Sequence, residues 1–284
     1  MRRYILSIDG GGVRNAFSMR FLSKLFTTFG NHIDMVSGIS AGALSAALIA
    51  YGKTDIFDML LAEDLHSRFF DCESLIPLLT CRYSGKAKLN TIQTYFNGMK
   101  LCDSKIPFLT TTYNWTKKKP EVFSSEVFVN AMVSLVDVLN AATAACTYFP
   151  PSLLIGDLHL DAGIVMNNPS LLAYSEAYRK WPHDELVLLS VGCGKSPSSA
   201  ILHGELNNYS TLDWSLHGVL DTLEQGPNQV YENLTEFLCD EYIRIDSVLE
   251  YALDDSNAQS KLIEDADRAF RDNETILRNK YKPH

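Results

Sequence analysis

The first fifty residues alternate between two hydrophobic periods. Tyr4 to Ile8 is a short, nearly continuous apolar run of the kind found in a strand buried on both faces, and it stops at Asp9-Gly10-Gly11-Gly12. Beyond that turn Phe17, Phe21, Leu22, Leu25 and Phe26 recur at helical spacing, which predicts an amphipathic helix over Asn15 to Phe29. A second apolar stretch, Ile33 to Val36, predicts another short strand ending at Ser37-Gly38. Ala41 to Tyr51 is rich in Ala and Leu and reads as helix, ended by Gly52. Strand, glycine turn and helix thus occur twice in succession, the signature of a parallel sheet with helices packed on it.

Further along, helices are expected over Thr54 to Phe70, Leu89 to Met99 and Val127 to Ala145. Strands are expected at Pro107 to Tyr113 and Glu121 to Ser124, around a Lys117-Lys118-Lys119 turn, and at Leu158 to Asp161 and Leu186 to Val191. From about Thr211 the pattern is mostly helical, interrupted by a strand-like Tyr242 to Ile245. No repeat, low-complexity tract or linker divides the chain, so residues 1–284 are read as one domain.

Composition narrows the function classes. With 284 residues, 46% of them hydrophobic and 21% charged, the chain can bury a sizeable core and is not a disordered segment. Its formal charge of -9 argues against a broad phosphate-binding face, so no nucleic-acid partner is expected. The apolar run after Arg2 and Arg3 is cut short at Asp9, which is not the pattern of a signal peptide, and no stretch approaches the ~20 apolar residues of a membrane span. A cytoplasmic protein is therefore expected. The Asn-x-Ser/Thr sequons at Asn114, Asn208, Asn233 and Asn273 then carry no consequence. The six cysteines lack metal-ligand spacing and small-scaffold density, and read as reduced, mostly buried thiols.

Two turns carry candidate chemistry. Gly38-Ile39-Ser40-Ala41-Gly42 is a Gly-x-Ser-x-Gly elbow, with a predicted strand before it and a predicted helix after it. A serine on such a turn is held in a strained backbone, the glycines let strand and helix approach, and the helix aims its free N–H groups at the site. The other turn, Asp9 to Arg14, leaves the N–H groups of Gly10, Gly11 and Gly12 uncovered, a nest for an anion. That anion could be a nucleotide phosphate or the oxyanion of an acyl intermediate. Val13 after the glycines, Asn15 at the last Rossmann glycine position and the lack of a complete Walker-type Gly-x-x-x-x-Gly-Lys-Ser/Thr loop weigh against phosphate. The separate serine elbow and the charge of Arg14 favour the oxyanion. For a base, no histidine sits in a marked local setting; Asp161-Ala162-Gly163, at a strand end and followed by Asn167-Asn168-Pro169, is the better candidate. His159, two residues earlier on the same strand, is the alternative.

Together these residues resemble the patatin-like phospholipases, whose pattern is an Asp-Gly-Gly-Gly-x-Arg loop, a Gly-x-Ser-x-Gly elbow and a later Asp-Gly-Gly or Asp-Gly-Ala. Ala142 to Pro151, Asn167-Asn168-Pro169, Leu189 to Gly194 and the segment Tyr242 to Asp255 are similar to further blocks of that family, so the resemblance spans nearly the whole chain. Two positions depart from it: Ala162 and Asn15 both stand where glycine is usual, and Asn15 is expected to be tolerated because Asn accepts left-handed conformations. The resemblance implies a three-layer α/β/α fold with a mainly parallel central sheet. It implies a Ser40–Asp161 dyad, an oxyanion hole drawn from Gly10, Gly11, Gly12, Arg14 and Ala41, and an elbow shaped by Gly38 and Gly42. No metal or cofactor is required, and the expected substrates are phospholipids, lysophospholipids or galactolipids met in transient contact with a membrane surface. A histidine-dependent acyltransferase, a non-catalytic lipid-binding module and an actin-like kinase are the rival readings. The apolar run from Arg68 to Leu79 reads either as a lid or as core.

Overall fold

The computed structural model describes residues 1–71, 74, 80–194, 219–249 and 251–281. Eight strands form one sheet: β1 (Arg2–Ile8), β2 (Met35–Gly38), β3 (Phe108–Asn114), β4 (Lys119–Ser124), β5 (Ser152–Leu154), β6 (Asp157–Asp161), β7 (Glu185–Val191) and β8 (Glu241–Ile245). β1 lies at the centre, parallel to β2 and β7, and the parallel set continues to β3 on one side and β8 on the other. β4, β5 and β6 pair antiparallel at the β3 end. The sheet is thus mainly parallel with an antiparallel margin.

The near-continuous apolar run of β1 follows from burial on both faces. Tyr4, Leu6 and Ile8 belong to a large core with α1 (Asn15–Phe29), α2 (Ala41–Ala50) and the long C-terminal helix, α9 (Gln259–Lys280). Ile5 belongs to a second core on the opposite face, with Leu188 and the small side chains of Ala173 and Ala177 from α7 (Ser170–Lys180). Helices therefore cover both faces, giving three layers. α9 lies along α1, where Phe21 and Phe270 meet edge to face with ring centroids 5.7 Å apart.

Several boundaries differ from the sequence reading. The helix expected over Thr54 to Phe70 is two, α3 (Ile56–Ala62) and α4 (Leu65–Phe69), because Asp64 starts a new helix by accepting the His66 N–H at 3.0 Å. The next helix, α5, runs over Lys86–Phe96. The span from Val127 to Ala145 holds only a 3₁₀ turn at Phe128–Asn130 and α6 (Leu135–Ala142), which is capped by Ser134. α7 and β5 were not anticipated, whereas α8 (Val219–Leu238) and α9 occupy the helical C-terminal part. Of the run from Arg68 to Leu79, positions 72, 73 and 75–79 lie outside the described residues. Among the described residues no helix is long and apolar enough to cross a membrane. Of the described cysteines, Cys193 and Cys239 are buried, Cys81 and Cys146 are half-buried and Cys102 is exposed; all five are free thiols, so burial holds for fewer of them than expected.

Candidate active site

Strand pairing brings Ser40 and Asp161 together. β4 occupies one edge of β3 from Leu109 to Asn114. A strand has two edges, so β2, paired at Phe108 to Thr110, and β6, paired at Thr112 to Asn114, must share the other. β2 runs parallel to β3 and β6 antiparallel, so their C-terminal ends converge from opposite directions. Ser40 follows the end of β2, and Asp161 is the last residue of β6.

Ser40 has φ 53° and ψ -129°, an unfavourable region for a residue with a side chain, costing on the order of 1–3 kcal/mol. The strain turns the chain abruptly from β2 into α2, and the glycines permit the crossing. A Cβ on Gly42 would run into the carbonyls of Ile8 and Asp9, and one on Gly38 into that of Gly42.

The glycine loop lies against this elbow. The Gly10 N–H donates to the Asn167 carbonyl at 3.0 Å, and Asn167 Nδ2 donates back to the Gly10 carbonyl at 2.9 Å. Gly10 is thereby committed to Asn167. Among the described residues, no backbone carbonyl accepts from the N–H of Gly11, Gly12 or Ala41. Arg14 is buried, and its Nε donates to the Gly11 carbonyl at 3.4 Å, so its guanidinium braces the loop from within. Asn15 is right-handed, with φ -62° and ψ -14°. No left-handed conformation is needed there; its Oδ1 instead accepts the Ser45 hydroxyl at 2.5 Å. Beneath the loop, Arg244 of β8 donates to Asp9 Oδ2 at 2.6 Å, to Asp246 Oδ2 at 2.7 Å and to the Ser190 hydroxyl at 2.8 Å. Asp9 is itself pushed up to about 6 by burial, against the pull of Arg244.

Ser40, Ala41, Gly11, Gly12 and Asp161 line a cavity of about 170 Å³ whose walls are largely apolar, with Met19, Leu44, Phe69, Phe70 and Phe149 among them. Burial pushes the Asp161 carboxyl up to about 6, while the Ser40 hydroxyl as donor, the Gly163 N–H and the charge of Lys88 pull it back. Asp161 Oδ1 accepts the Gly163 N–H at 2.8 Å, opening a 3₁₀ turn in which the Cβ of Ala162 is buried without conflict.

His159 is held elsewhere. It is buried, its Nδ1 shares a hydrogen bond with the Thr112 hydroxyl at 2.7 Å, its ring packs against Phe123, and desolvation lowers its pKa. Among the described residues no histidine lines the cavity. Two contributors had not been singled out from sequence. Arg244 sits in a strand that gives no local sign of its distant partner. Lys88, also in the cavity wall, looks like one more surface lysine beside Lys86; only its place four residues before Ile92, on the buried stripe of α5, sets it apart.

A family model described as patatin-like phospholipase matches residues 6–174, more than half of the chain. A cGAMP-activated phospholipase of Vibrio cholerae is 28% identical, over 63% of this chain and 59% of that protein. The human calcium-independent phospholipase A2-gamma is 27% identical, over 77% of this chain and 31% of that protein. The chain thus spans less than two thirds of the length of either relative. Among solved structures, VipD of Legionella pneumophila aligns with 93% of this chain and 67% of its own at 11% identity, with a TM-score of 0.44.

Proposed function

Because the chain belongs to the patatin-like phospholipase family, we propose that it is a serine lipid acyl hydrolase releasing fatty acids from membrane glycerolipids through Ser40 and Asp161. The observation that carries this reading is the convergence of β2 and β6 on one edge of β3, which sets a strained serine beside a buried carboxylate in an apolar cavity. Ser40 Oγ attacks the acyl carbonyl as Asp161 takes its proton. Asp161 then protonates the departing lysolipid alcohol. Water, deprotonated by Asp161 in turn, cleaves the acyl-enzyme. The oxyanion is held by the N–H groups of Gly11, Gly12 and Ala41 at the mouth of α2, with Gly10 and Arg14 fixing the loop that presents them. The apolar wall takes the acyl chain, drawn from a phospholipid or lysophospholipid in transient contact with a membrane surface. Residues 1–284 act as one catalytic unit in the cytoplasm.

No step calls on a metal or cofactor, since nucleophile, base and oxyanion donors are all protein groups. A histidine-dependent acyltransferase is disfavoured by the commitment of His159 to Thr112.

The test is incubation with a mixed lipid extract in excess EDTA and mass spectrometry of the released fatty acids. Wild type should release them, and Ser40→Ala should lose activity by several powers of ten, in line with the roughly 10⁶-fold loss known for a triad hydrolase. A Ser40→Ala protein retaining more than a tenth of the activity would rule out Ser40 as nucleophile.

A further inference from the structure

Lys88 is a buried cation that this mechanism leaves unused. It stands on the inward stripe of α5 with Thr91, Ile92 and Phe96 and is 3% exposed. An ammonium so placed must be partnered, because burying an unpaired charge is strongly unfavourable. Its Nζ donates to the carbonyls of Asn140 at 2.9 Å and Thr143 at 3.1 Å, at the C-terminal end of α6 where the helix dipole is negative. It also lies 4.7 Å from the centroid of the Phe149 ring. The next carbonyl along, that of Ala144, accepts the Asp161 N–H at 3.0 Å. One short turn therefore holds both the Lys88 ammonium and the Asp161 backbone, and both side chains line the cavity that contains Ser40.

We propose that Lys88 is a positioning residue for the dyad: anchored by the last turn of α6, its ammonium keeps the buried Asp161 carboxylate anionic, ready to take the proton of Ser40. This rests on the dyad reading above. The other ionisable groups nearby are engaged differently. Asp71 accepts the Ser84 and Lys86 N–H groups at the start of α5, Arg68 of α4 pairs with Glu63, and His66 of α4 stacks on Phe70. Asp137 of α6 is exposed, and the Cys146 thiol is pushed up by burial, with the Asp161 charge adding to the effect. Among the described residues, the charge opposing neutralisation of Asp161 is thus that of Lys88, whose own pKa burial brings down to about 7.

A neighbouring cation lowers a carboxylate pKa, so removing it raises that pKa and moves the acid limb of activity to higher pH. The experiment measures kcat and KM from pH 4.5 to 8.5 for wild type, Lys88→Gln, Lys88→Met and Lys88→Arg, with melting temperatures as a folding check. Gln can still donate to the α6 carbonyls, whereas Met matches the shape. In both neutral variants the acid limb of kcat/KM should rise by about one pH unit, a loss of about fivefold at pH 6 that approaches tenfold at pH 5. The difference should close by pH 8, where Asp161 is ionised with or without the cation, and Lys88→Arg should restore the low limb. An unmoved limb with kcat reduced equally at every pH would make Lys88 a structural prop and overturn the proposal. An unmoved limb with a raised KM would overturn it in favour of direct contact with an anionic head group. If both neutral variants fail to fold, Lys88 is a cation needed by the fold, and the proposal falls as well. Failure of the dyad reading looks different: Ser40→Ala would then match wild type.

Discussion

Asp9 and Asp161 are both buried and both pushed up to about 6, yet they differ in what they can do. Asp9 is locked to Arg244 at 2.6 Å, whereas Asp161 keeps the Ser40 hydroxyl as a neighbour and opens on a cavity. A folded-state pKa raised above the unfolded value means that the native protein binds the proton more tightly. Stability is then greatest below pH 4 and declines as pH rises through 6. Asp161→Asn should therefore be more stable than wild type at pH 8, by on the order of 2 kcal/mol, with the gap closing toward pH 4. The same variant should lose nearly all hydrolysis while His159→Ala keeps most of it. Thermal melts across pH, paired with turnover, check both halves. A limb near 6 falls where imidazole also titrates, so the pH profile by itself does not distinguish base from base, and the His159 variant is required. If His159→Ala were as inactive as Ser40→Ala while still folded, the base would have to be reassigned.

At the scale of elements, the serine elbow depends on how closely α2 can cross β1. Gly42→Ala places a methyl against the carbonyls of Ile8 and Asp9, which are backbone and cannot swing aside. The crowding should cost about 1–3 kcal/mol, comparable to overpacking in a core. It should also lower kcat/KM by up to about 100-fold through misplacement of Ser40 against the glycine loop; a melting curve and a kinetic assay would register the two effects separately. The elbow, the loop and the first two strand–helix units were legible because turn chemistry and hydrophobic period agree there. α7 was not, for a physical reason. The residues it turns to the sheet are Ser170, Ala173 and Ala177, while bulkier side chains such as Tyr178 face outward, so the large apolar residues do not mark the packed face. The long helix expected from Val127 failed in the opposite way, since Phe128 and Val129 are apolar yet exposed, and the helix begins only after the Ser134 cap. Asp161 was legible as a residue, but its meeting with Ser40 only through the family resemblance, because the shared edge of β3 is a property of register.

For the molecule as a whole, the glycine loop is held by parts distant in sequence. Arg244 reaches Asp9 across 235 positions, the Leu253 carbonyl accepts the Val13 N–H at 2.8 Å, and Asn228 accepts the N–H of Asn167, which in turn pairs with Gly10. Arg244→Met should leave the buried Asp9 and the half-buried Asp246 without their cation, lowering stability by about 3–5 kcal/mol. Activity should fall with it, although Arg244 lies beneath the loop, and chemical denaturation together with fatty-acid release would measure the pair. An unchanged midpoint would remove Arg244 from this account. The same arrangement fixes an order of events during synthesis. The loop is translated among the first fourteen residues, and the serine and the aspartate follow by residue 161, yet the carbonyl and guanidinium that set the loop emerge only with residues 244–253. On the proposed function, a nascent chain carrying both Ser40 and Asp161 would therefore still lack the contacts that set its glycine loop, and should gain activity only once residues 244–253 have been made.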